Sequence, residues 1–246
     1  MRRSISIVIP AYNEEKRLPA TLSKVLEYLE PGGWEFAEVV VVDDGSRDAT
    51  AAVAERWIGR GGKTGVRVLR NSGNRGKGYS VRHGMLEAKG EWLLFTDADL
   101  SAPIEDLDAL WTAAGRDSAQ VAFGSRAVDR SLVGVHQPFL REASGRMFNL
   151  VMRLITGLPY RDTQCGFKLF EAGAAREIFG RQLLERFGFD VEVLYIARQL
   201  GYRLVEVPVR WNDVLGTKVS LWSGLNAFAD PLRVRWNALR GRYRRG

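Results

Sequence analysis

The chain has 246 residues, with 36 lysines and arginines against 29 aspartates and glutamates, so its formal net charge is +7 and its sequence pI is near 9.7. Hydrophobic residues make up 46% of it, which is ordinary for a globular protein with a full core. One cysteine excludes an internal disulfide framework, and together with only two histidines it argues against a zinc site. No stretch is apolar for the length of a bilayer crossing, and no nucleic-acid-binding motif is present. We therefore expect a cytoplasmic protein. Its excess of positive charge is expected to bind phosphate or an anionic membrane surface, not nucleic acid.

Four short apolar runs in the first half have the length and composition of strands buried on both faces. They cover residues 5–9, 38–42, 66–69 and 92–96. Helices are predicted between them, over residues 18–29, from 46 or 48 to about 57, and from 78 to about 88. Ser46 or Asp48 would cap the second of these helices. The alternation predicts right-handed crossovers and a Rossmann-like α/β fold, with a mostly parallel sheet covered by helices on both faces.

The second half is less regular, and no linker composition marks a boundary in it before about Lys218. Strands are predicted at 119–124, 166–170 and 203–211, and helices at 139–155 and 190–200. We therefore predict one domain over residues 1–217 and a separate basic, amphipathic helical tail over 218–246.

The tail carries apolar residues at helical spacing beside several arginines, and Asp230 and Pro231 are expected to restart its helix as N-cap and first residue. Two tryptophans next to arginines are typical of a helix that lies in a membrane interface. A C-terminal helix packed on the core with a solvated basic face explains the same pattern. Both interpretations stay open at this point.

Two carboxylates, Asp97 and Asp99, follow directly after the strand at 92–96. The carboxyl ends of strands are where open α/β sheets bind ligands, and a hard cation such as Mg²⁺ or Mn²⁺ would relieve the repulsion between the two groups. The alternative is that Asp99 or Ser101 caps the helix that follows. The glycine-rich turn at 71–78 matches neither the dinucleotide fingerprint nor a Walker A motif, so it is either a phosphate cradle or a plain tight turn.

Three motifs in this order and spacing, IPAYNEE at 9–15, VDDGS at 42–46 and DAD at 97–99, resemble the family 2 glycosyltransferases of GT-A fold. Later segments narrow the resemblance to the branch of that family that transfers glucose to dolichyl phosphate. They are NRGKG at 74–78, GSR at 124–126, RDTQCGFKLF at 161–170, FDVE at 189–192 and residues 211–218. The match covers essentially the whole chain. It implies an inverting, metal-dependent enzyme that moves glucose from UDP-glucose to a dolichyl, undecaprenyl or other polyprenyl phosphate.

The resemblance also implies roles for individual residues. Asp97 and Asp99 match the metal-binding pair, while the place of a further metal ligand found in related mannosyl enzymes is taken here by Ser101. The matched nucleoside-binding positions are Pro10, Tyr12, Glu14, Val42 and Asp44. Ala98 is a further donor-binding candidate. Lys77, Lys168 and Lys218 are cations that would assist donor binding, and the alternative for each is an ordinary surface lysine.

The acceptor phosphate is matched by Arg126, Arg141 and Gln164, and because a phosphate monoester is already ionised at pH 7 the reaction needs cations more than a general base. Asp190 is a catalytic candidate that would orient the sugar or the acceptor, or else caps its helix. The eukaryotic relatives carry an N-terminal membrane anchor, whereas this sequence begins at its first strand. That difference leaves the tail, and the helix at 139–155, to hold the protein peripherally at the cytoplasmic face of a membrane. The alternatives are a mannosyl or other hexosyl enzyme with a different donor and, more distantly, an inactive relative that binds membrane or nucleic acid.

Overall fold

The computed structural model of the chain describes residues 4–132, 151–212 and 221–244, and for 221–228 it describes the backbone alone. One seven-stranded sheet runs through it in the order β3-β2-β1-β4-β6-β5-β7. The strands are β1 (Ser4–Ala11), β2 (Phe36–Asp43), β3 (Gly65–Arg70), β4 (Trp92–Thr96), β5 (Val121–Ser125), β6 (Phe167–Glu171) and β7 (Leu204–Pro208). Six strands point the same way, and β6 alone is antiparallel to its neighbours β4 and β5. The prediction of a mostly parallel sheet is confirmed, while the reversal of β6 is not visible in the sequence pattern.

Helices cover both faces of the sheet. They are α1 (Leu18–Leu29), α2 (Thr50–Glu55), α3 (Lys77–Glu87), α4 (Leu107–Asp117), α5 (residues 151–156), α6 (Ala172–Arg181), α7 (Phe189–Gln199) and α8 (Leu221–Leu239). The bounds of α4 and the whole of α6 were not predicted from the sequence. Most of the helix predicted at 139–155 lies outside the described residues, as does the predicted domain boundary near residue 217.

Of the two alternative caps predicted for α2, Asp48 accepts a hydrogen bond from the first-turn N–H of Thr50, whereas the hydroxyl of Ser46 accepts from the Asn13 N–H. Two other local predictions are wrong. The strand predicted at 203–211 ends at Pro208. Asp230 and Pro231 do not restart the C-terminal helix, because α8 runs through both of them. A proline inside a helix removes its own N–H donor and its ring crowds the carbonyl four residues earlier, so the helix needs outside support at this point. Buried contacts of Asp230 and Val234 with the rest of the protein supply it.

The strands are buried on both faces, so alternate residues enter two separate cores. Val39 and Val41 of β2 pack with α1 and α4 on one side, and Val40 and Val42 pack with α3, α6 and α7 on the other. The second core also takes in side chains of the C-terminal segment. No helix among the described residues combines the length and the hydropathy that a bilayer crossing requires.

Helix α3 lies so close to the sheet that one of its residues has no room for a side chain. A Cβ added at Gly84 would come within 2.4 Å of a Val8 methyl group and 2.9 Å of a Val42 methyl group. We expect Gly84→Ala to destabilise the protein by about 1–3 kcal/mol through overpacking. Urea unfolding monitored by circular dichroism measures this.

Gly115 of α4 is the matched control, because a Cβ added there meets nothing within 4 Å. The higher helix propensity of alanine predicts that Gly115→Ala leaves stability unchanged or raises it by up to about 1 kcal/mol. Equal behaviour of the two variants would contradict the packing of α3 described above.

Candidate functional site

The loops that follow β1 and β2 are tied together at the carboxyl edge of the sheet. The N–H of Asn13 donates to Ser46 Oγ (2.9 Å), and the N–H of Arg47 donates back to Asn13 Oδ1 (2.8 Å). Asn13 adopts a positive φ of 55°, which turns the chain between these two contacts. The edge is therefore a fixed platform on which the neighbouring loops pack.

The glycine-rich loop (residues 71–78) is held over this platform by Asp44. One carboxylate oxygen accepts from the Arg75 N–H (3.0 Å) and the Asn71 amide (2.8 Å), and the other accepts from the Gly76 N–H (2.7 Å). Asp44 is only 3% exposed. The structure thus uses this carboxylate to hold the loop, and the uracil contact expected of Asp44 stays a prediction.

Lys77, the first residue of α3, reaches across to the turn after β4. Its Nζ lies 2.6 Å from Asp97 Oδ1, and both side chains keep about a fifth to a quarter of their surface exposed, at 21% and 27%. Burial alone would lower the pKa of the Lys77 amine, but the negative charges of Asp97 and Asp190 outweigh it and raise the pKa above its usual value. Lys77 is therefore a permanent cation between two carboxylates.

Asp99 has a local role beside any role in metal binding. Its Oδ1 accepts from both the N–H (3.0 Å) and the hydroxyl (2.9 Å) of Ser101. This fixes the turn, but it does not cap α4, whose N-cap residue is Asp106. The interpretation of Asp99 or Ser101 as a helix cap is therefore wrong.

The donor set at this turn fits a hard divalent cation. No group of three or more His, Cys, Asp or Glu side chains in the described ranges is placed to hold a metal. Asp97 and Asp99 supply two carboxylates, and Mg²⁺ and Mn²⁺ are commonly held by one or two carboxylates with substrate phosphates and water completing the shell. The Asp97 carboxylate packs directly on the backbone of Gly166, where a Cβ would come within 2.2 Å of Asp97 Oδ2.

A buried ion pair lies beneath the turn. Lys168 of β6 is fully buried and bonds to Asp190 near the start of α7 and to the Cys165 carbonyl oxygen (2.6 Å). Burial raises the pKa of Asp190 despite the opposing charges of Lys168 and Lys77. Lys168 therefore supports Asp190 from inside the core, and the donor-binding role expected of Lys168 stays a prediction. Asp190 does not cap α7, whose N-cap residue is Gly188.

Arg126, at the end of β5, forms a two-pronged ion pair with Asp162. Its Nε and Nη2 donate to the two Asp162 oxygens at 2.6 and 2.9 Å, and its guanidinium carbon lies 4.8 Å from the centre of the Trp211 ring. Asp162 is 1% exposed, and although burial acts to raise its pKa, the charge of Arg126 holds that pKa below its usual value. The Arg126 side chain keeps 34% of its surface exposed.

The remaining candidates fall into three groups. Val42 is fully buried, so only its backbone can meet a ligand, whereas Pro10, Tyr12 and Glu14 lie partly exposed at the same edge of the sheet. Ala98 lies in the turn between Asp97 and Asp99 and accepts a hydrogen bond from the Thr21 hydroxyl through its carbonyl oxygen (2.6 Å). Arg141 and Lys218 lie outside the described residues.

The segment at 161–166 contains two buried polar atoms without a hydrogen-bond partner among the described residues. They are the Thr163 hydroxyl oxygen and the Gln164 amide nitrogen. Both lie between Asp162, which holds Arg126, and Gly166, which faces Asp97. Buried polar atoms are rarely left unpaired, so this segment has the hydrogen-bonding capacity to meet a polar ligand or water.

Sequence reasoning missed the roles of Asp162 and Gly166, although it quoted both within one motif. A buried carboxylate that pairs with an arginine 36 residues away leaves no periodic signal. A glycine permits another group to approach the backbone closely, but Gly166 could be assigned this role only once Asp97 was known to lie next to it. Cys165, between them, is not a nucleophile, because burial raises the pKa of its thiol to about 12.

Residues 6–179 match the family model described as Glycosyl transferase family 2. The chain is 40% identical over 250 residues to a dolichyl-phosphate beta-glucosyltransferase of Drosophila melanogaster, with 98% of this chain and 77% of that protein covered. The human protein of that name is 37% identical over 254 residues, with 98% and 78% covered.

Solved structures with the same fold share less of the sequence. Mannosyl-3-phosphoglycerate synthase from Rubrobacter xylanophilus aligns with a TM-score of 0.66 at 17% identity, covering 97% of this chain and 74% of that one. Glucosyl-3-phosphoglycerate synthase from Mycobacterium tuberculosis, crystallised with Mn²⁺, UDP and glucosyl-3-phosphoglycerate, aligns with a TM-score of 0.61 at 19% identity, covering 97% and 79%. At these identities the likeness shows the fold alone, and it is the GT-A fold that was predicted.

The pair formed by Arg126 and Asp162 generates a stability prediction. Arg126→Ala leaves a buried carboxylate without its cation, which we expect to cost on the order of 2–3 kcal/mol of unfolding free energy. The pKa of Asp162 is lower in the folded protein than in the unfolded chain. The pair therefore stabilises the folded state fully at pH values above the pKa of an unfolded aspartate, which is about 4. That stabilisation is lost as the pH falls through the folded value, and the difference between wild type and variant should shrink there.

The control is Arg116→Ala, which breaks an exposed pair with Asp117 and should leave stability nearly unchanged at every pH. Urea unfolding at pH 7 and at several values below pH 4.5 gives both quantities. A pH-independent loss for Arg126→Ala would show that the arginine stabilises through packing on Trp211 and not through charge.

Proposed function

Because the chain belongs to glycosyltransferase family 2, we propose that it transfers glucose from UDP-glucose to the phosphate of a polyprenyl lipid, with inversion at the anomeric carbon. The observation that carries the transferase part is the meeting of Lys77, Asp97 and Asp99 at the carboxyl edge of the sheet. The sugar and the lipid come from relatives named dolichyl-phosphate beta-glucosyltransferase, which match this chain over almost its whole length.

The donor diphosphate belongs beside Lys77. Asp97 and Asp99 would hold a Mg²⁺ or Mn²⁺ ion, which when bound supplies positive charge against the diphosphate that leaves. Lys77 adds a cation at the same place, at the N-terminus of α3, where the helix dipole also favours an anion. The glycine-rich loop, fixed by Asp44, keeps that N-terminus in position.

The acceptor phosphate belongs on the other side of Asp97, toward Arg126. Asp162 holds the guanidinium in one orientation, so little conformational entropy is lost when the exposed part of Arg126 binds an anion. The unpaired amide nitrogen of Gln164 is a further donor in the same segment. An acceptor phosphate that is already ionised needs no base, and Asp190, held by Lys168, would orient the sugar.

We further propose that α8 docks on an anionic membrane surface. Leu232, Trp236 and Leu239 lie on one face at i, i+4 and i+7, and they are 58%, 56% and 72% exposed. The Arg240 guanidinium stacks 4.5 Å from the Trp236 ring, and Arg233 and Arg235 lie beside the same stripe. Exposed tryptophan and leucine next to arginine match an anionic interface. A position on the cytoplasmic face stays a prediction from the sequence.

Asp99→Asn tests the metal and the function together. The amide oxygen can still accept from Ser101 and keep the turn, but the charge that a cation needs is gone. We expect transfer of labelled glucose from UDP-glucose to a short polyprenyl phosphate to fall on the order of 100-fold or more, with melting temperature almost unchanged.

The controls are Asp117→Asn, an exposed acid on α4, and a panel of donors that includes GDP-mannose. Full activity of Asp99→Asn would show that Asp99 serves the turn alone. Turnover of another nucleotide-sugar in preference to UDP-glucose would contradict the proposed donor, and activity without any divalent cation would contradict the metal.

Trp236→Ala and Leu239→Ala test the membrane surface of α8. Each removes exposed apolar area that no buried contact requires, so we expect partition to vesicles containing anionic lipid to fall about tenfold while stability holds. Vesicle sedimentation at two salt concentrations measures it, with Ile58→Ala, 55% exposed elsewhere on the protein, as control. Unchanged partition in both variants would refute docking through α8.

A further inference from the structure

The glycine-rich loop is supported from outside by the chain between α6 and α7. We call residues 182–186 the bracing segment. The N–H of Tyr79 donates to the Glu185 carbonyl oxygen (2.9 Å), and the side-chain amide of Gln182 donates to the Gly78 carbonyl oxygen (2.9 Å). The start of α3, with Lys77, is therefore bound to a segment that is distant in sequence.

The contact is backbone against backbone. A Cβ at Gly78 would lie 2.7 Å from the Leu184 carbonyl oxygen and 2.8 Å from that of Arg186, and one at Gly76 would lie 2.7 Å from that of Glu185. At these two glycines the backbones of the two segments meet directly, which leaves little room to absorb a shift. A displacement of the bracing segment must therefore displace the glycine-rich loop.

The bracing segment is in turn held by a buried carboxylate of α7. Glu192 is fully buried, and it accepts hydrogen bonds from the N–H groups of Leu183 (3.1 Å) and Leu184 (2.8 Å). The hydroxyl of Tyr243, which follows α8 and is 2% exposed, donates to the same carboxylate (2.7 Å). Asn237 donates to the Tyr243 oxygen in turn (3.3 Å).

Gln182 makes its two hydrogen bonds at a cost. Its amide nitrogen donates to the carbonyl oxygens of Gly78 and Leu184, but its own side-chain oxygen is buried without a partner among the described residues. A methionine would fill the same space with no unpaired oxygen to desolvate. Packing alone therefore does not explain a glutamine at this position. A role in fixing the Gly78 carbonyl group does explain it.

We propose that Glu192, Tyr243 and Gln182 are positioning residues of the donor site. They set the bracing segment, which sets the backbone of the glycine-rich loop and with it the position of Lys77 beside Asp97. The C-terminal segment is thereby coupled to donor binding, although the hydrogen bonds described for these three side chains go to neither Lys77 nor Asp97. The inference rests on the proposed function only for the identity of the donor.

Tyr243→Phe tests it, with Tyr195→Phe as the matched control. Tyr195 packs edge-on against Tyr243, and its hydroxyl bonds to Arg235 and Gln199 but to no atom of the bracing segment. We expect Tyr243→Phe to weaken UDP binding in the presence of Mn²⁺ by about fivefold, the ratio expected for one lost hydrogen bond. The value of kcat at saturating UDP-glucose should stay near that of wild type, and the Tyr195→Phe variant should keep both values.

Amide hydrogen exchange supplies a readout that needs no ligand. The Tyr79 N–H, which bonds to the bracing segment, should exchange faster in Tyr243→Phe than in Tyr195→Phe. If wild type fails to bind UDP but this difference is seen, the proposed function fails and the coupling stands. Equal exchange and equal UDP affinity in the two variants would overturn the coupling.

If the Tyr243→Phe variant does not fold, the Gln182→Met variant tests the same proposal. It removes the link to Gly78 and the unpaired oxygen, but it also takes the donor from the Leu184 carbonyl, so we expect only a small loss of stability while UDP affinity falls and Tyr79 exchange rises. A stable Gln182→Met protein with wild-type affinity and exchange would equally overturn the proposal.

Discussion

The contact between Lys77 and Asp97 is the interaction on which the arrangement of this edge depends. It joins the first residue of α3 to the turn after β4, so it fixes these two loops against each other. Each neighbouring feature serves its geometry: Asp44 holds the loop that precedes Lys77, and Gly166 leaves space for the Asp97 carboxylate. Because this ion pair lies at a partly exposed edge, bound ligands can compete for its two members. A diphosphate would pair with the Lys77 ammonium group, and a divalent cation would pair with the Asp97 carboxylate.

The buried charges beneath this ion pair cost desolvation energy, and each is paired with an opposite charge. Lys168 and Asp190 are both buried, and replacing such a pair by apolar residues is often neutral or stabilising in proteins. Removing either partner alone leaves an uncompensated charge, so the pair is maintained as a unit. Its carboxylate acts on Lys77, which makes Asp190 part of the electrostatics of the donor site even though its direct partner is inside the core. The positive and negative groups thus alternate from the core to the surface.

Much of the first half of the fold was predictable because each strand and helix there carries its own periodic pattern. The strands β1 to β4 and the edge at which Asp97 and Asp99 lie follow from short-range patterns and the handedness of crossovers. The antiparallel β6 and the pairing of Arg126 with Asp162 depend on contacts between distant segments, which no local pattern encodes. The resemblance identified Lys168 as a candidate, but only the structure shows that its ammonium group turns inward. Arg141 and Lys218 are predictions that the described residues do not reach.

The two interpretations of the C-terminal helix are compatible, because α8 has apolar residues on opposite faces. Val234 is fully buried against the core, while Leu232 and Trp236 face outward. A helix with apolar residues on all of its faces is normally buried on all of them. The exposed apolar face of α8, which lies next to arginines, therefore needs a binding surface other than the protein core. The inward face continues to Tyr243 and through Glu192 to the bracing segment. The C-terminal segment therefore connects the surface proposed for the membrane with the loop proposed for the donor. A displacement of α8 on docking would reach the start of α3, and with it Lys77, through hydrogen bonds that already exist.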